Sequence, residues 1–393
     1  MIVYFAIVIA FCVIYPFVPR KHIKWLFLAL VLALSVMAFY VKPLETDDLL
    51  RYYNSLDLLR KKSLSGYFDL QRNGYGNFDA VPVCGLYFFF VSKLGNNNFL
   101  PAITIFLTYG SMLLVIWRFA NYYKISKLYI FVGTFFLLST YWYYDTCSGI
   151  RNGLAFAVAM FCIYFDLVEK KKIFCLGYFV AMGIHSAAVI FLGLRLLTEI
   201  NMRLRLKILN AISLVGIFFG SYIIEFFGKI FNNSFFEVLL EKTAINKVRV
   251  ISFTSGVTIL SIALLLAVII MCIYMNYRIN MDDVKNVESI NYFFILLLFF
   301  SVGSLSSYLI FTRFMHWVIP MFGSLIIMLC LDLNRKKRQE IYFAPHGEST
   351  IKRDISVYRS NELILNLMII ALSMFNLYFL CFVSVIHSAK FGI

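Results

Sequence analysis

Apolar runs of about 18 or more residues recur along this chain from end to end, each long enough to cross about 30 Å of hydrocarbon as a helix. Runs of that length rich in Leu, Phe and Ile exclude a β-barrel, whose strands alternate apolar and polar residues over about ten positions. The composition agrees, since 61% of the 393 residues are hydrophobic and only 15% are charged. A soluble fold of that make-up has too little polar surface to stay dissolved. The sequence therefore predicts an all-α, polytopic membrane protein with about ten to twelve transmembrane helices.

Full spans are expected near residues 1–18, 23–41, 99–117, 127–145, 149–166, 207–228, 253–275, 290–310, 313–331 and 361–385. Two further segments are awkward. The run 80–94 is too short to span comfortably, and 173–197 is long, contains Gly177 and Gly183, and carries His185 near its centre. Thirty-six Lys and Arg against twenty-one Asp and Glu leave a net charge of +15. In a membrane protein that excess records orientation, because basic loops stay cytoplasmic; it does not point to nucleic acid. Four basic clusters carry the signal: Arg20, Lys21 and Lys24; Arg118, Lys124 and Lys127; Lys170 to Lys172; and Arg335 to Arg338.

One topology keeps all four clusters on the cytoplasmic side. Both termini lie outside, 80–94 dips into the membrane from the outer face, and 173–197 is a broken or re-entrant helix. A plain tilted span for either segment is the alternative, and it violates the charge rule at several later loops. The whole chain is one integral membrane domain. Residues 42–79 and 229–252 are outer loops, the second with an interfacial helix around FFEVLLEK, and 332–360 is a basic cytoplasmic loop, disordered or peripheral. The first apolar run begins at Met1 with no basic segment before it, so it reads as a retained helix. The eight cysteines show no metal-ligand or CxxC spacing and read as small apolar packers. No Walker sequence, nucleotide-binding glycine motif, zinc signature or internal repeat occurs, which argues against an ATP-driven pump.

Ionisable residues inside spans are costly and mark function by default, against the simpler reading of snorkelling near a helix end. Here they are Arg151, just after Tyr141-Trp142-Tyr143-Tyr144-Asp145; His185; and Arg313 with His316. The expected topology brings Arg151, Arg313 and His316 to the outer face, where residues 42–79 present ETDDLLRYY. In a helix, Asp47 and Arg51 share a face, as do Asp48 and Tyr52; a solvated polar loop is the plainer reading. A buried histidine such as His185 either bonds to a neighbouring helix or builds a site. Arginine forks suit phosphate, and a carboxylate such as Asp48, or His185, suits removal of a proton from a hydroxyl. Together these groups suffice for glycosyl transfer from a lipid pyrophosphate.

The order of motifs TDDLLRYY, DAVPVCGLYFFFVSKLGNNNFL, SGIRNGLAFAVAMFCIYFDLVEKKKIFCLGYFVAMGIHSAAVIFLGL and YLIFTRFMHWVIP resembles the EpsG-type family of exopolysaccharide and O-antigen polymerases, the Wzy-like proteins of bacterial cell membranes. The match covers residues 40–200, with 145–194 the most specific part; the second half matches in hydropathy and around Arg313. The resemblance implies a multi-pass protein of the bacterial inner membrane. It would join undecaprenyl-pyrophosphate-linked repeat units, moving the growing glycan to the non-reducing end of the next unit. Donor and acceptor are then its partners, with membrane lipid, a chain-length regulator and a flippase, and no metal, other cofactor or nucleotide sugar is implied. Carried over by residue, the resemblance points to Asp48, or its neighbour Asp47, with Tyr52, and to Arg151, His185 and Arg313; Arg51 and His316 join them as substrate-binding candidates by position. The family's loop carries one aspartate, whereas Asp47 and Asp48 are adjacent here. Two other readings stay open: a different lipid-linked glycosyltransferase or glycan ligase, and a flippase or exporter of the lipid-linked unit.

Overall fold

The computed structural model describes residues 1–43, 45, 47–74, 80–204, 256–278, 287–343 and 348–383, with backbone alone for Leu204, Arg278, Ser306, Tyr308, 340–343 and 348–359. Two of the expected features, the span 207–228 and the loop 229–252, lie outside the described residues. Every regular element described is helical.

The chain opens with α1 (Ile2–Ile14) and α2 (Ile23–Phe39), joined by a tight turn containing Pro16 and Pro19. Three short helices follow, α3 (Asp48–Arg60), α4 (Leu64–Arg72) and α5 (Pro82–Ser92), before the long α6 (Phe99–Tyr122). α2 and α6 lie antiparallel. Phe39 meets Phe99 edge to face at 5.2 Å at one end, and Arg20 donates to the Ala120 carbonyl at 3.3 Å at the other. Next come α7 (Lys127–Thr140), α8 (Tyr143–Ser148) and α9 (Ile150–Ile163), the last continued by a wide π turn to Val168. The segment 173–197 forms α10 (Cys175–Ile184) and α11 (Val189–Leu204). The last helices are α12 (Gly256–Arg278), α13 (Val287–Gly303), α14 (Tyr308–Arg313), α15 (Ile319–Phe343) and α16 (Glu348–Tyr378).

Six helical stretches among the described residues are long and apolar enough to cross a membrane, and five shorter apolar helices accompany them. The protein is an all-α polytopic membrane protein. α15 is its axis: 94% of the apolar stretch within Leu309–Gln339 is buried, against 33% for Ser360–Val383 on the periphery. α7 packs on that axis through Gly133, whose missing side chain lets the Met328 side chain lie against the helix backbone. Buried Thr134, Ser139 and Thr140 return their hydroxyls to carbonyls one turn back, at 2.6–3.0 Å, so they enter the apolar interior satisfied.

All four basic clusters gather at one end. Lys127 donates to the Pro16 carbonyl at 2.6 Å, and Lys336 to that of Tyr123 at 2.8 Å. Arg118 grips Glu169 with two bonds of 2.9 Å, and Arg338 pairs with Glu362 at 2.8 Å. α3, α4 and α8, with the start of α9, lie at the opposite end.

The segment 173–197 is broken and re-entrant. His185 leaves the helix in an extended conformation (φ −151°, ψ 125°), and a short turn at Ser186–Ala188 sends the chain back. Buried Asp166 records the return, since it takes Lys172 at 3.1 Å from before the break and Arg195 from after it. An unbroken helix would hold those two positions roughly 35 Å apart. The short helix at 80–94 is also as expected, eleven residues long, and Gly183 of α10 packs against Val83 at its start.

Residues 332–360 differ from expectation. Instead of a disordered or peripheral loop, α15 runs on to Phe343 and α16 starts at Glu348. The polar residues of this stretch continue the apolar helices. Asp332 takes Arg335 at 3.0 Å and Lys336 at 2.9 Å, ion pairs at helical spacing that support the extension.

Candidate active site

The adjacent aspartates point different ways because α3 starts between them. Asp47 is the N-cap residue, extended (φ −79°, ψ 146°) and buried, and its carboxylate accepts the Tyr144 hydroxyl of α8. Asp48 is the first helical residue and pairs with Arg51 on the surface, where their side chains are 39% and 75% exposed. The expected Asp47–Arg51 and Asp48–Tyr52 faces are thus replaced by an outward Asp48–Arg51 pair, with Asp47 and Tyr52 turned inward. Tyr52 stands edge-on to Phe88 of α5 at 5.1 Å, and its hydroxyl accepts Arg151 Nε at 3.1 Å. The guanidinium also lies 5.7 Å from the centre of the ring. Burial pushes the Tyr52 phenol upward, and the charge and hydrogen bond of Arg151 pull it partly back.

The run YWYYD builds the floor. Tyr141 and Trp142 are extended, α8 makes about a turn and a half, and Gly149 bends the chain into α9 with Arg151 at its second position. Only glycine fits at that bend. A Cβ on Gly149 would stand 2.7 Å from the Asp145 carbonyl and 3.3 Å from the Trp317 ring. Tyr143 bonds the Leu34 carbonyl at 2.6 Å, and Trp317 Nε1 bonds Thr146 at 3.0 Å, so the bend is tied to α2 and to the start of α15.

Arg313 and His316 stand where α14 passes into α15 through a π turn at Phe314–Val318, a local widening that often marks functional sites. His316 Nδ1 lies 2.9 Å from an Asp145 carboxylate oxygen. Its ring stacks on Trp142 at 3.8 Å and 5°. Its Nε2 is buried with no partner among the described residues. Arg313 lies within electrostatic reach of Arg151 and of the Tyr52 hydroxyl. Among the described residues neither arginine pairs with a carboxylate.

His185 lies at the break of the re-entrant segment, and the turn after it packs against α9. Its Nδ1 accepts the Ala187 N–H at 3.2 Å, so the neutral ring carries its proton on Nε2 and is a hydrogen-bond donor there. Among the described residues no group of three or more His, Cys, Asp or Glu could hold a metal ion. The structure thus joins Tyr52, Arg151, Arg313 and His316, sets Asp47 behind them through Tyr144, and leaves Asp48 and Arg51 on the surface. Sequence reasoning missed Asp145, whose partner is 171 positions away; an acid closing an aromatic run at a helix start was its only signal.

A family model described as the EpsG family matches residues 24–345. The chain belongs to the EpsG family. For this EpsG-family chain, membership suggests a polysaccharide-polymerase type of role, glycosyltransferase-like in general class. No curated protein and no solved structure gave a significant match. The matched stretch takes in every site residue named above.

Proposed function

We propose that this protein polymerises lipid-linked oligosaccharide repeat units on the outer face of a bacterial inner membrane. It transfers the growing glycan from undecaprenyl pyrophosphate to the non-reducing end of the next lipid-linked unit. The observation that carries this reading is the pair Arg151 and Arg313, two guanidiniums near each other with no carboxylate partner among the described residues, at the end of the molecule opposite the basic clusters. Like charges brought together in a membrane protein call for an anion, and the arginine fork matches phosphate oxygens.

Tyr52 holds Arg151 by Nε and leaves both Nη groups for the pyrophosphate. The leaving pyrophosphate gains negative charge as the anomeric bond lengthens, and fixed cations at that point lower the barrier. The test is reconstitution: purified protein in nanodiscs with a synthetic undecaprenyl-pyrophosphate repeat unit should yield a ladder of longer lipid-linked glycans and release undecaprenyl pyrophosphate. Absence of both, or movement of the unit across a vesicle membrane without bond formation, would overturn the reading.

A further inference from the structure

Given the polymerase reading, the acceptor hydroxyl must lose a proton to something, and the residues marked by sequence for that task are turned to other uses. Asp48 is a surface ion pair. Asp47 binds Tyr144. His185 presents a proton rather than a lone pair.

We propose that His316, oriented by Asp145, is the general base that deprotonates the acceptor hydroxyl. A carboxylate only accepts, so the 2.9 Å contact from Asp145 fixes the proton of the neutral ring on Nδ1 and leaves the lone pair on Nε2. The Trp142 stack holds the ring plane. A histidine kept for packing satisfies both nitrogens, whereas Nε2 here is buried without a partner among the described residues. The two halves of the dyad also ride on the segments that carry the two arginines. Asp145 and Arg151 flank Gly149, and Arg313 and His316 share one turn of the α14–α15 junction. Base and phosphate-binding groups are therefore positioned by the same two backbone pieces.

In the step, the hydroxyl proton moves to Nε2 and the oxygen forms a bond to the anomeric carbon. The bond from that carbon to the pyrophosphate oxygen breaks, its electron pair leaving with the pyrophosphate. His316 ends as an imidazolium facing the Asp145 carboxylate, and returns its proton to the departing phosphate or to water. A single displacement inverts the anomeric configuration.

His316→Gln and Asp145→Asn are to be measured in nanodiscs beside the wild type, with donor binding followed separately from turnover. His316→Gln should lower kcat by about a hundredfold or more, with donor Kd changed by less than about threefold. Asp145 is a positioning residue, and asparagine would offer Nδ1 an N–H and draw the ring into the wrong tautomer. Asp145→Asn should therefore lower kcat at least about tenfold with KM for the acceptor unchanged, and Asp145→Glu should restore part of the rate. NMR of the wild-type product gives a readout independent of variant folding and should show inversion relative to the donor. A wild-type ladder with near-normal kcat in His316→Gln, or retained configuration, overturns the dyad while the polymerase reading stands. No ladder from the wild type rejects both.

Discussion

Arg151 has five N–H donors, and among the described residues only Nε is committed, to Tyr52 at 3.1 Å. The two Nη groups are left in the parallel arrangement that a phosphate accepts. Lysine keeps the charge but loses that geometry, so Arg151→Lys should be impaired and Arg151→Ala worse, by about 2–4 kcal/mol in the barrier. Polymerisation rates at matched membrane abundance check this. Snorkelling, which lysine does equally well, predicts a silent Arg151→Lys. Tyr52→Phe should raise the donor KM more than it lowers kcat, because it removes the orienting hydroxyl and keeps the ring. Arg151, Arg313 and His316 were legible in the sequence because a charge within an apolar run is costly wherever it falls. Which aspartate turns inward was not legible, because a helix start between positions 47 and 48 decides it. Nor was the Asp145–His316 pair, since no local spacing reports a contact across 171 positions.

At the scale of elements, the re-entrant pair α10–α11 depends on Asp166. Removing that buried carboxylate in Asp166→Ala leaves Arg195, itself 6% exposed, with only the half-exposed Glu199 at 3.0 Å, and the loss of one member of a buried ion pair costs up to about 3–5 kcal/mol. Thermal unfolding in detergent should show a large fall in Tm for Asp166→Ala, and Asp166→Ala with Arg195→Met should recover much of it. Glycine content, segment length and the charge rule together exposed a break within 173–197, though not its place at His185, and the ion pair that closes it was invisible, because Arg195 reads in sequence as one more basic residue near a span end. Neighbouring Glu169 gives a pH signature. Burial alone would raise its carboxyl, but bonds from Lys171, Tyr164 and Arg118 outweigh burial and hold it below its ordinary 4.5. A depressed carboxyl contributes stability that is full above the unfolded value and is lost as pH falls through the lower folded value. Wild-type Tm should therefore drop faster than that of Glu169→Gln as pH is lowered below about 4.5.

At the scale of the whole molecule, the two ends differ in charge and in task. The four basic clusters meet at one end, and the arginine pair with His316 faces the other. Basic loops stay cytoplasmic, so the site should face outward. A cysteine at Asn73 should react with an impermeant label in intact cells and one at Gln339 should not; the reverse pattern would invert the protein. Hydropathy and charge made most of this arrangement readable before any coordinates, because the bilayer dictates both span length and loop sign. The extension of α15 to Phe343 and the start of α16 at Glu348 were not readable, since the ion pairs there resemble an exposed polar loop in sequence. The central claim, that Arg151 and Arg313 hold the pyrophosphate of a lipid carrier, is met most directly by binding. Undecaprenyl pyrophosphate should bind the nanodisc-reconstituted protein more tightly than undecaprenyl monophosphate, and Arg151→Ala with Arg313→Ala should abolish that preference. Equal binding of the two lipids by the wild type, or an unchanged preference in the double variant, would contradict the account.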